Sequence, residues 1–460
     1  MRTARQLHLN TNITGLGRHP AGWRTLHRPN AIVDLDFFVE IAKTAERGKL
    51  DAVFLSDALA VQGHASGPSQ SLEPTVLLTA LACHTSTIGL VGTASTTFND
   101  PFNLARRFAS VDHLSKGRVA WNVVTTYDPA AAANFGAAAA PDKSARYERA
   151  ESFVEVVKAL WDSWEDGALL GDGATGRYAD VARVHAIAHH DRFFDVEGPL
   201  NVPRSPQGRP VLIQAGGSDA GKTLAARHVD AVFTAQTTLS GAQQYYADLK
   251  SRARAFGRDP DHLLILPGLY PVIGGTVAEA LSRKAEMDAL LDRSNELNKF
   301  AHALGIDADA LSLDAPLPYA LIAASHRTHR STGFVDATLQ LAKAENLTVR
   351  DLLDRNPGAH RMIVGTPEQI ADNIETWFLQ RGADGFNLNA DVFPSGLAAF
   401  VDHVVPLLQR KGIFRTDYEG RTLREHYGLP RPESRYAAAS MNVADADAAL
   451  RAGEARASAE

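Results

Sequence analysis

The feature that most constrains the fold of this chain is the alternation of short apolar runs with longer amphipathic segments. Such alternation is typical of parallel strands joined by crossover helices. Helical periodicity precedes the second, fourth and eighth runs, and Thr366 followed by Pro367 marks a helix start by its N-cap and first-turn proline. The runs with strand character lie at residues 7–13, 51–57, 86–96, 118–126, 210–217, 230–236, 263–274 and 384–390.

Eight strand–helix units predict an α/β fold, the closed (β/α)8 TIM barrel, because closure leaves no exposed sheet edge. Long gaps after strands 4 and 7 predict insertions at about 127–209 and 275–360 within a single domain of residues 1–430. Inserted segments after barrel strands lie over the C-terminal mouth, where they can roof a substrate cavity. The Ala-rich, acidic residues 431–460 predict a tail that frays or packs on a partner subunit.

Charge and composition exclude several classes of protein. The 47 basic and 53 acidic residues give a net charge of −6, without the basic face that tracks a nucleic-acid backbone. No apolar stretch approaches the length of a membrane span, and the N-terminus lacks the apolar core of a signal peptide. The single cysteine, Cys83, cannot form an intrachain disulfide. We therefore expect a soluble, cytoplasmic protein that binds neither nucleic acid nor membrane.

A glycine-rich turn after the fifth run is the sharpest local signal. Gly216, Gly217 and Ser218 follow an apolar strand and open a helix, so backbone N–H groups and the positive helix end converge on one point. This pattern favours a phosphate-binding site. Two alternatives stay open: a turn that only permits tight strand-to-helix packing, and an ATP-binding P-loop, since Gly216 to Thr223 matches G-x-x-x-x-G-K-[ST].

Polar residues end other runs and are candidates for the same mouth. Asp57 ends the second run, where it either serves a ligand or caps the next segment. Asn122, Thr125 and Thr126 end the fourth run and suit a neutral, hydrogen-bonding ligand edge.

Metal and nucleophile chemistry have weaker support. His185, His189 and His190 have a spacing that suits two imidazoles on one helix face, but the sequence around them alternates as a strand does, so we predict no metal site. No Ser-His-Asp or Cys-His arrangement stands out, and we assign no catalytic residue.

Three long motifs, in the same order, resemble a known family. GRVAWNVVTTYDPAAAANFG, RYERAESFVEVVKALWDSWE and FFDVEGPLNVPRSPQGRPVLIQAGGSDAG closely resemble the nitrilotriacetate monooxygenase component A branch of the bacterial-luciferase-like flavin monooxygenases. That branch includes dibenzothiophene-sulfone, EDTA and long-chain-alkane monooxygenases. The resemblance runs from about residue 7 to about residue 430.

The resemblance implies a fold and a reaction. It implies a barrel that takes FMN in its reduced form, FMNH2, from a separate NAD(P)H-dependent flavin reductase. One atom of O2 is then inserted into a small organic substrate through a flavin C4a-(hydro)peroxide. A homo-oligomer, dimer or tetramer, is also expected. The alternative of a flavin- or F420-binding barrel that oxygenates nothing stays open.

The resemblance also implies site residues. Many relatives carry a His four residues before the motif Tyr, where this chain has Lys143, a residue that can still approach a phosphate. His19 and Trp23 resemble a mouth-lining segment, and His326 in the second insertion is a further substrate-side candidate. Carried over by motif, the flavin-binding positions are Asp57, Ser95, Asn122, Thr126, Tyr147, Gly216, Gly217 and Ser218.

Overall fold

Parallel strands form the centre of the protein. The computed structural model describes residues 5–28, 30–61, 72–139, 141–325, 332–355 and 360–436, with the backbone alone at 332–334. His326 and residues 437–460 of the predicted tail lie outside these ranges. Numbered along the chain, the strands are β1 (His8–Ile13), β2 (Ala52–Leu55), β3 (Gly89–Ser95), β4 (Val119–Val124), β5 (Leu169–Asp172), β6 (Arg177–Ala179), β7 (His189–His190), β8 (Asp195–Val196), β9 (Val211–Ala215), β10 (Ala231–Thr234), β11 (Leu264–Ile273), β12 (Arg361–Gly365) and β13 (Gly385–Leu388).

Eight of these strands close into a parallel barrel in the order β1, β2, β3, β4, β9, β10, β11 and β13. The ring closes where β13 pairs with β1, with His8 opposite Gly385 and Thr11 opposite Leu388. All eight predicted runs supply these strands, so the predicted barrel is confirmed. Closure brings every carboxyl end of a strand to one mouth.

Helices pack around the barrel where the sequence predicts them. The N-cap of α13 is Thr366, which forms a capping box with Gln369, and Pro367 occupies the first turn as predicted. The helices are α1 (Leu35–Arg47), α2 (Pro74–His84), α3 (Pro101–Leu114), α4 (Pro129–Asn134), α5 (Lys143–Asp162), α6 (Asp219–His228), α7 (Leu239–Ala255), α8 (Val277–Asp288), α9 (Arg293–Leu304), α10 (Tyr319–Ala324), α11 (Thr332–Ala344), α12 (Val349–Asp354), α13 (Pro367–Leu379), α14 (Ser395–Ala399), α15 (Val405–Arg410) and α16 (Leu423–His426). A π-helical turn at Phe400–Val404 joins α14 to α15.

Strand β12 is an element that the sequence analysis missed. It pairs with the second half of β11, from Leu269 to Ile273, outside the closed ring. The helices α8 to α12 occupy the chain between β11 and β12, and α9 to α12 share a small apolar core of their own.

Two antiparallel hairpins lie between α5 and β9. β5 pairs with β6, and β7 pairs with β8. The three clustered histidines here have separate carboxylate neighbours: His185 Nε2 lies 2.7 Å from Glu165, His189 Nε2 lies 3.1 Å from Asp191, and His190 Nδ1 lies 2.7 Å from Asp195.

The barrel interior has an apolar cluster in its lower half, beside the buried polar side chain of Asn10, and it is polar at its mouth. Its lower layers contain Phe54, Val91, Ile213 and Leu266, together with Leu423 and Tyr427 from the C-terminal segment. Because that segment packs beneath the strands, the N-terminal end of the barrel is closed and access is confined to the mouth. Within the described ranges, no helix combines the length and apolar character that a bilayer span requires.

Candidate functional site

A cavity of about 330 Å³ lies at the barrel mouth, against the ends of β2, β3, β4 and β9 and the first turn of α5. Parallel strands end at the same rim, so residues that are far apart in sequence meet there. Seven of the predicted flavin positions line this cavity, namely Asp57, Ser95, Thr126, Tyr147, Gly216, Gly217 and Ser218. We refer to it as the first cavity.

One end of the first cavity is the turn between β9 and α6. A Cβ on Gly216 would lie 2.6 Å from Gln214 Nε2, so a side chain there would require the Gln214 carboxamide to shift. Ser218 caps α6 by accepting the Gly221 N–H at 3.2 Å, and its hydroxyl donates to Tyr147 Oη at 3.3 Å. The turn therefore presents backbone N–H groups, a helix N-terminus and two hydroxyls to the cavity, which is a suitable setting for an anion.

Two cations line the same cavity as that turn, and one of them was missed by the sequence analysis. Lys143 and Arg146, from the first turn of α5, both line the first cavity. Arg146 is only 4% exposed, and its Nε has no hydrogen-bond partner among the described residues. Burial lowers the pKa of the Arg146 guanidinium, with neighbouring Tyr147 and Asp142 acting in the opposite direction. A buried guanidinium with an unmet donor favours a bound anion.

The other end of the first cavity is polar and includes the carboxyl group of Asp57. Ser95 Oγ accepts the N–H groups of Thr97 and Phe98 at 3.1 and 3.3 Å, which fixes the loop after β3. Burial, and then repulsion from Glu73, raise the pKa of Asp57 above its ordinary value. Asp57 therefore carries a proton more often than an exposed aspartate does, and can then donate as well as accept a hydrogen bond.

Asn122 does not line the first cavity. It is 3% exposed, and its Nδ2 donates to Thr93 Oγ1 at 2.9 Å. Thr93 does line the cavity, so Asn122 supports a wall residue from beneath. Thr93 was missed, although it precedes Ser95 by two positions and the alternation of a strand places both on one face.

The predicted substrate-side residues lie elsewhere. His19 is buried, accepts the Ala21 N–H through Nδ1 at 3.1 Å, and places Nε2 3.1 Å from Asp288. It therefore ties the segment after β1 to α8. Trp23 is 38% exposed on a short 3-10 helix. Neither residue lines the first cavity, and His326 falls outside the described residues.

A second cavity, of about 400 Å³, adjoins the first one. Both cavities are lined by Ala215, Gly216 and Gly217. The remaining walls of the second cavity come from the end of β10, from α7 and α11, and from His360.

The ATP-binding P-loop alternative does not fit this geometry. Only residues 216–218 separate β9 from α6, which is too short a connection to wrap around a triphosphate. Lys222 lies inside α6 and places Nζ 2.8 Å from Asp248, and Thr223 Oγ1 donates to the Asp219 carbonyl at 3.1 Å. The two residues that a P-loop needs for phosphate and magnesium are thus engaged within the protein.

Comparison with known proteins extends these observations. The family model described as luciferase-like monooxygenase matches residues 18–385. The chain is 45% identical to N-acetyl-S-(2-succino)cysteine monooxygenase of Bacillus subtilis (strain 168), over 94% of this chain and 99% of that one. It is 44% identical to nitrilotriacetate monooxygenase component A of Aminobacter aminovorans, over 94% and 98%. Among solved structures, a riboflavin lyase with modified FMN and riboflavin superposes with a TM-score of 0.82 at 32% identity, covering 94% and 98% of the two chains.

Proposed function

The chain belongs to the luciferase-like monooxygenase family and is a flavin-dependent monooxygenase, and from that premise we propose that it binds reduced FMN in the first cavity. This family membership confirms the resemblance seen in the sequence. Relatives that span nearly the whole chain are named monooxygenases, so we set aside a barrel that binds flavin or F420 without oxygenation. The observation that carries the proposal is the convergence of seven motif positions on one cavity.

The residues present fit the phosphate of FMN. The glycine turn, the start of α6 and the buried Arg146 guanidinium with its unmet Nε favour a dianion at that end of the cavity. Lys143 adds a second cation to the lining of the cavity. We assign the phosphate to Gly216, Gly217 and Ser218, with Tyr147 beside it.

The polar end of the cavity fits the flavin ring. Asp57, Thr93 and Ser95 offer a carboxyl group and two hydroxyls to the polar ring edge, and Thr126 lines the same cavity. Asn122 acts indirectly, because its amide holds the hydroxyl of Thr93 in place.

When bound, reduced FMN supplies the chemistry, which is the activation of O2 for insertion of one oxygen atom into a small organic substrate. The protein's own residues bind, orient and enclose the ring. A cluster of apolar side chains lies in the barrel beneath the cavity, and exclusion of water from the ring suppresses unproductive release of hydrogen peroxide. No residue needs to act as a covalent nucleophile.

We further propose a separate NAD(P)H-dependent flavin reductase as partner and a cytoplasmic site of action, where NAD(P)H is available. One relative is named as component A, wording that supports a system of more than one protein. We also propose a dimer or tetramer. Exposed apolar side chains near the β5–β6 hairpin, Tyr178 at 73% and Val181 at 82%, support association of copies.

Substitution Ser218→Asp tests the phosphate assignment. The new carboxylate would face the phosphate, so we expect FMN affinity to fall by about 100-fold, whereas riboflavin, which lacks the phosphate, should lose less than about three-fold. Fluorescence titration of both flavins measures this. The matched control is Ser240→Asp, which places the same charge in the first turn of α7 outside the first cavity. Equal loss of both flavins would contradict the assignment.

Dependence on a reductase tests the proposed partner. The purified chain with FMN and NADH should consume NADH no faster than free FMN does, because no dinucleotide is assigned to either cavity. Addition of any NADH-dependent flavin reductase should start oxygen consumption. Rapid NADH oxidation by the chain alone would show that the reductase partner is not needed.

A further inference from the structure

The second cavity is a passage from solvent to the barrel axis. Its outer end is formed by exposed side chains of Gln244 on α7 and of Asp336 and Gln340 on α11. Its inner end is formed by Phe233 and His360, whose rings are stacked with their centroids 5.2 Å apart. The ring of Phe233 also packs against that of Phe54 on β2, with the two ring centroids 5.7 Å apart, and this contact crosses the barrel.

The passage meets the first cavity at the end of β9. Ala215 lines both cavities and follows Ile213, an interior residue, by two positions. Because side chains alternate along a strand, Ala215 faces the barrel axis. A molecule at the inner end of the passage therefore lies next to the first cavity without having crossed the glycine turn.

Among the described residues that line the passage, the charged side chains disfavour an anion. Lys222 is the ammonium group in its lining, and Nζ already lies 2.8 Å from Asp248, which also accepts the Nε–H of Arg252 at 2.8 Å. Asp336 adds a second carboxylate at the outer end. A carboxylate ligand would have to displace Asp248 from Lys222, and this step is unfavourable.

Hydrogen-bonding groups without charge make up most of the polar wall. The carboxamides of Gln236, Gln244 and Gln340 each carry both donors and an acceptor. At the inner end, burial and the nearby Arg18 guanidinium hold the pKa of His360 well below its usual range. The imidazole therefore stays neutral at physiological pH, and Arg18 itself is not among the residues that line the passage.

We propose that the organic substrate enters through this second cavity, apart from the flavin, and that it is an uncharged molecule carrying carbonyl, amide or hydroxyl groups. The proposal rests on the proposed function, since it assigns the reacting flavin to the first cavity. Reduced flavin and substrate then have separate entrances, so each can exchange while the other stays bound.

Three thioethers of nearly the same shape test the substrate class. N-acetyl-L-methionine amide is uncharged, N-acetyl-L-methionine is an anion and L-methionine amide is a cation. Saturation-transfer NMR with the full chain loaded with FMN measures their dissociation constants. We expect the uncharged compound to bind about ten-fold more tightly than the anion. Equal or tighter binding of the anion overturns the proposal, as does failure of all three compounds to bind.

A thiol label at the outer end tests the entrance. Cys83 is exposed and is the single cysteine, so Cys83→Ala provides a background in which Gln340→Cys is labelled alone with a bulky maleimide. We expect the label to weaken binding of the uncharged thioether by about ten-fold while FMN binds as before. The matched control is labelled Ala247→Cys, an exposed position on α7 that does not line the passage.

The outcomes separate the two proposals. If labelled Gln340→Cys binds the thioether as well as the control does, the entrance is wrong while flavin binding stands. If the label blocks FMN, the flavin uses this passage and the separate entrances are wrong. If the unlabelled parent chain binds no FMN, the proposed function itself fails.

Discussion

Asp112 is a buried carboxyl group whose negative charge is only partly stabilised by its surroundings. Its Oδ1 accepts the Val119 N–H at 2.9 Å and the Gln207 amide at 2.8 Å, whereas Oδ2 has no partner in the described part of the chain. Burial raises the pKa of Asp112 to about 6, against the lowering effect of these donors and of nearby Ser205. The folded state therefore holds this proton more tightly than the unfolded state does.

Substitution Asp112→Asn should remove that pH dependence. Because the pKa of Asp112 is higher in the folded than in the unfolded state, proton binding at Asp112 stabilises the fold fully at pH values below the unfolded-state pKa. This stabilisation is lost as the pH rises through about 6. Asn keeps the acceptor at Oδ1 and never ionises, so we expect the variant to be more stable than the parent by about 1–3 kcal/mol at about pH 8. The difference should shrink towards about pH 4.

Urea unfolding of both chains across this range measures the effect. Only the difference between variant and parent is informative, because carboxyl groups with lowered pKa values, such as Asp230 and Asp384, destabilise both chains as pH falls. A variant that loses the same stability at every pH would show that Asp112 is charged in the folded state.

Single residues of the site were predictable to different degrees. Ser218 and Gly216 were predictable because a glycine turn between a strand and a helix indicates an anion-binding site, formed by backbone N–H groups and the helix N-terminus. Arg146 was not, because its position next to Tyr147 does not reveal that its side chain is buried and lines the cavity. Burial of a charged side chain depends on packing between α5 and the barrel mouth, which no local pattern encodes.

At the scale of elements, β11 shows why one strand was missed. It pairs with β10 over Leu264–Pro267, with β13 at Gly268 and Leu269, and with β12 over Leu269–Ile273. The apolar run at 263–274 was correctly predicted as a strand, but its length exceeds that of the other barrel strands. That excess length was the available signal for a further partner beyond the barrel rim.

Gly268 sits where β11 changes partner, and it leaves space for His360. A Cβ at this position would lie 2.2 Å from His360 Nδ1, which no packed structure permits. We therefore expect Gly268→Ala to displace the imidazole, to destabilise the fold by about 1–3 kcal/mol, and to weaken thioether binding in the second cavity.

Urea unfolding and the NMR titration described above check this prediction. Gly173→Ala is the control, since a Cβ there meets nothing within 4 Å. If Gly268→Ala matches the control in both measurements, His360 does not depend on the space that glycine leaves.

At the scale of the whole molecule, the apolar pattern determines the barrel while long-range charge pairs close its lower end. The eight barrel strands were predictable because each strand is buried between the barrel interior and the surrounding helices. Such a strand is visible in the sequence as a short apolar run. The closure by the C-terminal segment was not, because Arg415 and Asp51 lie 364 positions apart. Nothing local to either residue indicates the other.

The Arg415–Asp51 pair should therefore be decisive for stability. Both side chains are buried, and Arg415 Nη2 donates to Asp51 Oδ1 at 2.6 Å. Burial alone would raise the pKa of Asp51, but Arg415 and His8 together hold it below its ordinary value. The carboxylate also accepts the Leu9 N–H at 2.7 Å, which joins the pair to β1.

Removal of one partner leaves the other charge buried and uncompensated. We expect Arg415→Met to cost about 3–5 kcal/mol in urea unfolding, whereas Arg415→Met combined with Asp51→Asn should cost clearly less than the sum of the single changes. The double-mutant cycle separates the charge pair from lost packing, because packing losses add independently. Additive losses would mean that the ion pair contributes no coupling between Arg415 and Asp51, and that other contacts of the C-terminal segment, such as those of Leu423 and Tyr427, close the barrel.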